Sequence, residues 1–142
     1  MDATTIKCQD LMIGDWITNE SGLPTQIITV SGACAYAIFG GDEGDPWVFD
    51  DYIYLPIPIP LTPEILEKNG IKNRDDKYII SGLDDVGQWY ITLKDFKPQF
   101  DFWFIKSSNR NLNVRGQIRY VHEFQHALRL VGLTELANNF KI

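Results

Sequence analysis

Cysteine and histidine are scarce in this chain, since each occurs only twice among 142 residues. Cys8 and Cys34 are too few for a disulfide framework and wrongly spaced for a zinc finger. A catalytic zinc ion usually has three protein ligands. His122 and His126 could supply two of them, so the third would have to be a carboxylate or a cysteine. This scarcity restricts metal chemistry to the surroundings of the two histidines.

Long apolar runs and several common functional signatures are also missing. No stretch of eighteen apolar residues occurs, so no transmembrane helix and no membrane partner are expected. A signal peptide begins with a basic region followed by an apolar run, and residues 1–5 do not start such a pattern. We therefore expect a cytoplasmic protein. The sequence also lacks a glycine-rich phosphate loop, a nucleophile elbow and an internal repeat.

The composition is that of a folded chain, with 44% hydrophobic and 13% aromatic residues. Its net charge of −6 is unevenly distributed. Residues 1–93 hold fifteen acidic and five basic side chains, whereas residues 94–142 hold four acidic and eight basic ones. A basic part can bind a polyanion locally, although the overall field would repel it. The same asymmetry also suits docking of the two parts on each other, or self-association.

Short β-branched and apolar segments, separated by turn residues, fill residues 6–57. Residues 25–30 read as a strand, and residues 19–22 and 40–46 are rich in turn-forming types. A spacing of roughly ten residues between strands predicts a small closed or sandwiched β unit.

A proline-rich segment follows, in which residues 56–60 alternate proline with isoleucine. Such a segment must be extended, and we predict a stiff linker over residues 58–63. Thr62 and Pro63 suit the start of a helix. Further strands are predicted at residues 78–80, 88–93 and 100–105, with a short fourth one at 112–114. Apolar residues on both faces of residues 100–105 predict a strand covered on both sides.

The clearest helical pattern lies near the C-terminus and predicts a packing helix over residues 117–131. Its apolar face would consist of Ile118, Val121, Phe124, Leu128 and Val131. Gly132 is suited to end this helix. Residues 64–142 are thus predicted to form an α-β-β-β-α unit with an antiparallel sheet, and the chain belongs to the α+β class.

The same helix contains His122, Glu123 and His126, which match the H-E-x-x-H pattern. In zinc hydrolases two histidines one turn apart bind the metal, and the glutamate polarises a water molecule. Arg119 and Arg129 would place positive charges beside such a cation. We therefore favour a packing helix without a catalytic residue, a metal or another cofactor. The zinc hydrolase, with Glu123 as the catalytic residue, is kept as an alternative.

Residues 118–129, IRYVHEFQHALR, resemble the C-terminal signature of a family of small uncharacterised bacterial proteins, many of them prophage-derived. Residues 11–17, LMIGDWI, and 56–66, PIPIPLTPEIL, fit two further motifs of that family. Its recurring core is Tyr-Val-His-x-Leu-Gln, where Phe124 here replaces the leucine, and neither Glu123 nor the second histidine is fixed. The family has no established activity, so the resemblance implies an architecture and a genomic setting. By analogy with the family and by strand count, we interpret residues 1–57 as a Src-homology-3-like β-barrel.

Functions from three classes are compatible with these observations. The favoured one is a non-catalytic binding module from a prophage or mobile element that binds an unknown protein partner, with Trp16, Trp47 and Tyr52 as candidate contacts. The alternative is nucleic-acid binding by the basic C-terminal part, with Phe96 and Trp103 as stacking groups. The basic candidates are Lys94, Lys97, Lys106, Arg110, Arg115 and Arg119. A pI near 4.8 argues against this alternative. The zinc hydrolase is the third.

Overall fold

The computed structural model describes residues 6–18, 22–31, 34–39, 42–50, 56–84, 87–107 and 112–142. These residues form an α+β structure with two antiparallel sheets and a few short helices, which confirms the predicted class. No helix in this part of the chain is long and apolar enough to span a bilayer.

The first sheet is formed by five short strands, preceded by a 3-10 helix at Cys8–Asp10. The strands are β1 (Trp16–Thr18), β2 (Pro24–Ser31), β3 (Cys34–Phe39), β4 (Asp42–Asp50) and β5 (Ile57–Pro58). They lie in the order β4-β3-β2-β1-β5. The register shifts once between β2 and β3 and once between β3 and β4, as in β-bulges. Between the described residues of β4 and β5 there is no pairing that would close a barrel.

The second sheet is a meander in which each strand is antiparallel to the next. Its elements are α1 (Pro63–Lys68), β6 (Lys72–Arg74), β7 (Lys77–Asp84), β8 (Gly87–Phe96), β9 (Gln99–Ser107) and β10 (Leu112–Ile118). Two helices follow, α2 (Val121–Leu130) and α3 (Thr134–Asn138). As predicted, Thr62 caps α1 by accepting a hydrogen bond from the Ile65 N–H, and Pro63 is the first helical residue. No hydrophobic pattern predicts β6, because its three residues are all exposed and polar.

The proline-rich segment is extended, but it is hydrogen-bonded to both units rather than merely linking them. Ile57 and Pro58 pair with β1. Further along, the Ile59 carbonyl accepts a hydrogen bond from the Val121 N–H at 2.8 Å, and the Leu61 N–H donates to the Arg119 carbonyl at 2.9 Å. Leu61 supplies a backbone N–H, the donor that proline lacks. The segment therefore fixes the start of α2 against the edge of the first sheet.

The main core lies between one face of the second sheet and the helices. Its fully buried large residues are Leu66, Ile71, Ile91, Leu93, Phe104, Phe124 and Leu128. All five residues of the predicted apolar helix face are buried, which confirms a packing helix. The helix begins at Val121 rather than at residue 117, because β10 continues to Ile118. A smaller core of Ile6, Cys8, Leu11, Ile17 and Ile27 lies against the first sheet.

Candidate functional site

Glu123, the catalytic candidate of the zinc alternative, caps the N-terminus of α2. Its Oε1 accepts hydrogen bonds from the backbone N–H groups of Arg119 and Tyr120, both at 2.9 Å. Tyr120 is the N-cap of the helix, so this contact is the carboxylate half of a capping box. A negative charge at this end also interacts favourably with the helix dipole. The carboxylate therefore has a structural role that depends on its position three residues after the N-cap.

His122 is a buried imidazole. Only 7% of the residue is exposed, and its ring stacks on Tyr120 with 6.0 Å between the ring centroids. Its Nδ1 atom is buried without a hydrogen-bond partner among the described residues. Burial lowers the pKa of His122 below the ordinary value of 6.5. The imidazole is therefore neutral at physiological pH.

We expect acidification below pH 6.5 to destabilise the protein through His122. Burial is the largest cause of its lowered pKa; His126 lowers the pKa further, while the carboxylates of Asp15, Glu123 and Asp10 raise it. The unfolded chain thus binds the proton first, so this contribution is complete above pH 6.5 and is lost as the pH falls through the lowered pKa. Urea unfolding between about pH 5 and 8 measures the slope. His122→Phe should flatten it, and an unchanged slope in that variant would contradict this assignment.

Asp15 is a buried carboxylate with three neighbours. It lies just before β1 and is fully inaccessible. Its Oδ2 accepts a hydrogen bond from the Met12 N–H at 2.7 Å and lies 2.5 Å from Nε2 of His126. Its Oδ1 accepts from Nη1 of Arg129 at 2.6 Å, and the Arg129 side chain is only 9% exposed. A buried carboxylate normally needs such compensation by charge and hydrogen bonds.

Gln125 continues this arrangement one residue before His126. Its Oε1 accepts from the Trp16 N–H at 2.9 Å, while its Nε2 donates to the carbonyls of Gly14 and Ala137 at 2.8 and 3.0 Å. Gly14 has φ +94°, and a Cβ there would lie 3.0 Å from Nη2 of Arg129. We call Asp15, Gln125, His126 and Arg129 the Asp15 cluster. It joins residues 11–17 to residues 118–129, the two segments that carry the family resemblance.

The side chains of the H-E-x-x-H pattern thus contact other residues of the protein. The rings of His122 and His126 meet edge to face with centroids 5.6 Å apart. Within the described ranges, no three His, Cys, Asp or Glu side chains are placed to hold a metal ion. Arg129 adds a positive charge at the same carboxylate that contacts His126. The arrangement fits a polar anchor between α2 and β1 better than a metal centre.

The aromatic contact candidates of the first sheet have different positions. Trp16 is half-buried against the main core, and its indole Nε1 donates to the Phe140 carbonyl at 2.7 Å. Trp47 belongs to β4, but its side chain lies outside the described residues. Tyr52 also lies outside them. Trp16 therefore connects β1 to the C-terminal residues.

The second sheet has an open face on the side away from the core, which we call the outer face. Cross-strand pairing places Thr92, Trp103 and Arg115 in one row of this face. Trp103 is 36% exposed, although the alternate residues of β9 are buried in the core. The expectation that residues 100–105 are covered on both sides is therefore wrong. Burial under a neighbouring layer therefore does not explain why an apolar residue occupies position 103.

Trp103 and Arg115 form a stacked pair on the outer face. The Arg115 guanidinium carbon lies 4.2 Å from the centroid of the Trp103 ring, a cation–π geometry. The Trp103 Nε1 donates to Oδ1 of Asn113 at 2.5 Å, which fixes the ring. Beside the pair lies an open pocket of about 480 Å³. Its lining includes Lys77, Lys94, Asp101, Trp103, Arg115 and Gln117.

Positive charge is concentrated on the outer face. Lys94 pairs with Lys77, and β6 places Lys72 and Arg74 opposite Ile79 and Lys77. The cations at paired positions of this face are Lys72, Arg74, Lys77, Lys94 and Arg115. Asp101 is the one acidic residue at the corresponding positions of the described strands. An anion that approaches the strands of this face meets more cations than carboxylates, although the exposed Asp75 and Asp76 of the turn between β6 and β7 lower the positive charge beside Arg74 and Lys77.

Two cations of this surface are among the basic residues predicted from the sequence. Lys94 and Arg115 lie in the pocket with Trp103, and Lys94 Nζ lies 4.8 Å from the ring centroid of Phe96. The charge distribution along the chain does not predict Lys72, Arg74 and Lys77 as part of this surface, because they belong to the acidic first part of the chain and only strand pairing brings them beside Lys94.

The other basic candidates lie elsewhere. Lys97 is exposed in the turn between β8 and β9. Lys106 is paired with Trp89 and Leu112, positions that alternate away from the outer face. Arg119 lines a separate pocket with Tyr120 and Glu123. Arg110 lies outside the described residues.

Comparison of the chain with family models, curated proteins and solved structures gives no match. The resemblance to small bacterial and prophage proteins therefore stays a prediction. What the chain itself provides is a buried polar anchor, the Asp15 cluster, and an open cationic face with an exposed tryptophan.

Proposed function

We propose that this protein is a non-catalytic binding module, encoded by a prophage or mobile element, whose ligand-binding surface is the outer face of the second sheet. The observation that carries this proposal is the Trp103–Arg115 pair, hydrogen-bonded to Asn113 at the side of an open pocket. Aromatic and arginine side chains of this kind are enriched where proteins bind partners. The segment that resembles a catalytic motif has internal structural contacts instead.

We further infer that the first sheet belongs to a Src-homology-3-like barrel. Support comes from the strand order β4-β3-β2-β1-β5, in which the last strand returns to pair with the first. The bulges in the β2–β3 and β3–β4 pairs support it as well, since bulges bend and twist a sheet towards closure. In this architecture the barrel anchors the binding unit through β5 and the Asp15 cluster.

Two substitutions of Glu123 separate the binding module from a zinc hydrolase. We expect Glu123→Ala to lower the free energy of unfolding by about 1 kcal/mol, because the capping contacts are lost. Glu123→Gln keeps an acceptor oxygen and should lose less. Urea unfolding measures both, with Glu67→Ala in α1 as the control for removing an exposed glutamate from a helix.

Metal analysis of protein purified without an affinity tag completes this test. The proposal expects no stoichiometric zinc and the same result for the His122→Ala/His126→Ala variant. About one zinc ion per chain, as a catalytic site requires, and its loss in that variant would overturn the proposal. In that case the Glu123→Gln variant would be the one to examine for lost hydrolysis.

A further inference from the structure

We propose that the ligand of the outer face is single-stranded nucleic acid, with a base stacked on the Trp103–Arg115 pair and phosphates bound by the surrounding lysines. This inference rests on the proposed function, since it names the ligand of the same surface. Both parts of a nucleotide have a counterpart here: the base has an aromatic ring and a guanidinium plane, and the phosphate has ammonium groups.

The tryptophan is suited to stacking because it is fixed before the ligand arrives. Its Nε1 is held by Asn113 at 2.5 Å, and Arg115 lies against the ring at 4.2 Å. With 36% of the residue exposed, part of the ring system stays open to solvent at the pocket. A fixed ring loses little side-chain entropy on binding, so more of the stacking energy appears as affinity.

The cations lie along a line across the strands. From Lys77 on β7 to Arg115 on β10 the outer face spans three strand spacings, about 14 Å. Lys94 lies between them beside Asp101, and β6 extends the line with Lys72 and Arg74. A chain with regularly repeated negative charge that crosses the strands could contact several of these cations at once. A single small anion could not.

An exposed base distinguishes this ligand from the two nearest alternatives. A duplex keeps its bases stacked inside and would meet the face only through phosphates, so the aromatic ring would contribute little. An acidic peptide would satisfy the lysines but offers carboxylates and no π-face. The pairing of an exposed tryptophan with five cations therefore favours a single strand.

The net charge of the molecule shapes the expected binding. Because the chain carries −6, it attracts a polyanion only at short range, and the affinity should fall as salt screens the local lysines. For single strands the logarithm of the binding constant falls with the logarithm of the salt concentration, with a slope of about −0.7 for each phosphate contacted. Two or three contacted phosphates correspond to a slope of roughly −1.4 to −2.

The test is fluorescence anisotropy with a labelled, mixed-sequence DNA or RNA strand of about twelve nucleotides, titrated with the intact protein at several salt concentrations. Trp103→Ala should weaken binding by about tenfold or more, and Trp103→Phe should recover part of the loss. The Lys77→Gln/Lys94→Gln variant should reduce the magnitude of the salt slope by about 1.4. Lys141→Gln, a cation near Phe140 on the helix side of the core, should change neither quantity.

Other outcomes would overturn this inference in recognisable ways. Absence of binding at low salt, or equal losses in Lys141→Gln and the outer-face variants, would exclude the outer face as a nucleic-acid site. Equal affinity for a duplex of the same sequence, with no effect of Trp103→Ala, would exclude base stacking. Binding of a glutamate-rich peptide that depends on Lys77 and Lys94 would assign the face to an acidic protein partner. That result would agree with the proposed binding module and contradict only its nucleic-acid ligand, whereas stoichiometric zinc would contradict the binding module itself.

Discussion

Replacing Asp15 with alanine should destabilise the protein by about 3–5 kcal/mol, and at the upper end should prevent folding. The carboxylate is fully buried and compensates the largely buried guanidinium of Arg129, while it also holds His126 and the Met12 N–H. Removing it leaves the Arg129 guanidinium, whose side chain is only 9% exposed, without its buried counter-charge. Urea unfolding, followed by tryptophan fluorescence, measures the loss.

The control for Asp15 is Asp10→Ala, which removes an exposed carboxylate from the neighbouring 3-10 helix and should stay within about 0.5 kcal/mol of the parent. A double variant, Asp15→Asn/Arg129→Met, should be more stable than Asp15→Asn alone, because it removes both members of a buried pair. A loss below about 1 kcal/mol for Asp15→Ala would mean that the contacts of Asp15 contribute no more than an exposed ion pair.

Replacing Gln125 with alanine should cost about 1–3 kcal/mol, chiefly because the Trp16 N–H loses its partner. The side chain satisfies the Trp16 N–H and the carbonyls of Gly14 and Ala137, and each buried backbone group left without a partner costs roughly 1–3 kcal/mol. The Gly14 carbonyl also accepts from Gln26, and the Ala137 carbonyl also accepts from the Phe140 N–H at 3.4 Å, which limits the loss at both carbonyls. Urea unfolding gives the total.

Amide hydrogen exchange supplies a local measurement for the same substitution. The Trp16 N–H should exchange faster in Gln125→Ala than expected from the fall in global stability. Gln117→Ala, at an exposed position of β10, serves as the control and should leave both quantities nearly unchanged. Unaltered protection of Trp16 in Gln125→Ala would show that its amide does not depend on the carboxamide.

Local patterns predict α1 and α2, but not α3. The apolar spacing of α2 is a property of ten consecutive residues, and all of its predicted contacts are buried. The pattern predicts a helix start four residues before Val121, because it includes Ile118, which belongs to β10. The capping role of Glu123 could have corrected this, since a glutamate three residues after an N-cap is a helix-start signal.

The Asp15 cluster had no such signal. Its members are 110 or more positions apart from Asp15 in the chain, and nothing in Gly14-Asp15-Trp16 distinguishes a buried carboxylate from one in an ordinary turn. The resemblance to a bacterial family pointed to both segments without saying that they touch. The sequence predicts only the part of the outer face that contains Lys94 and Arg115. Charge counted along the chain cannot show that strand pairing places Lys72, Arg74 and Lys77 near Lys94.

The hydrogen-bonded proline segment has a consequence for how the molecule comes apart. Ile57 and Pro58 form the edge strand of the first sheet. The next residue, Ile59, accepts a hydrogen bond from the N–H of Val121, the first residue of α2. If either unit frays, the proline-rich segment moves, and the other unit loses the backbone hydrogen bonds that this segment makes to it. We expect the two sheets to lose their structure in a single cooperative step, so that neither half persists as a folded fragment when the chain is cut between them.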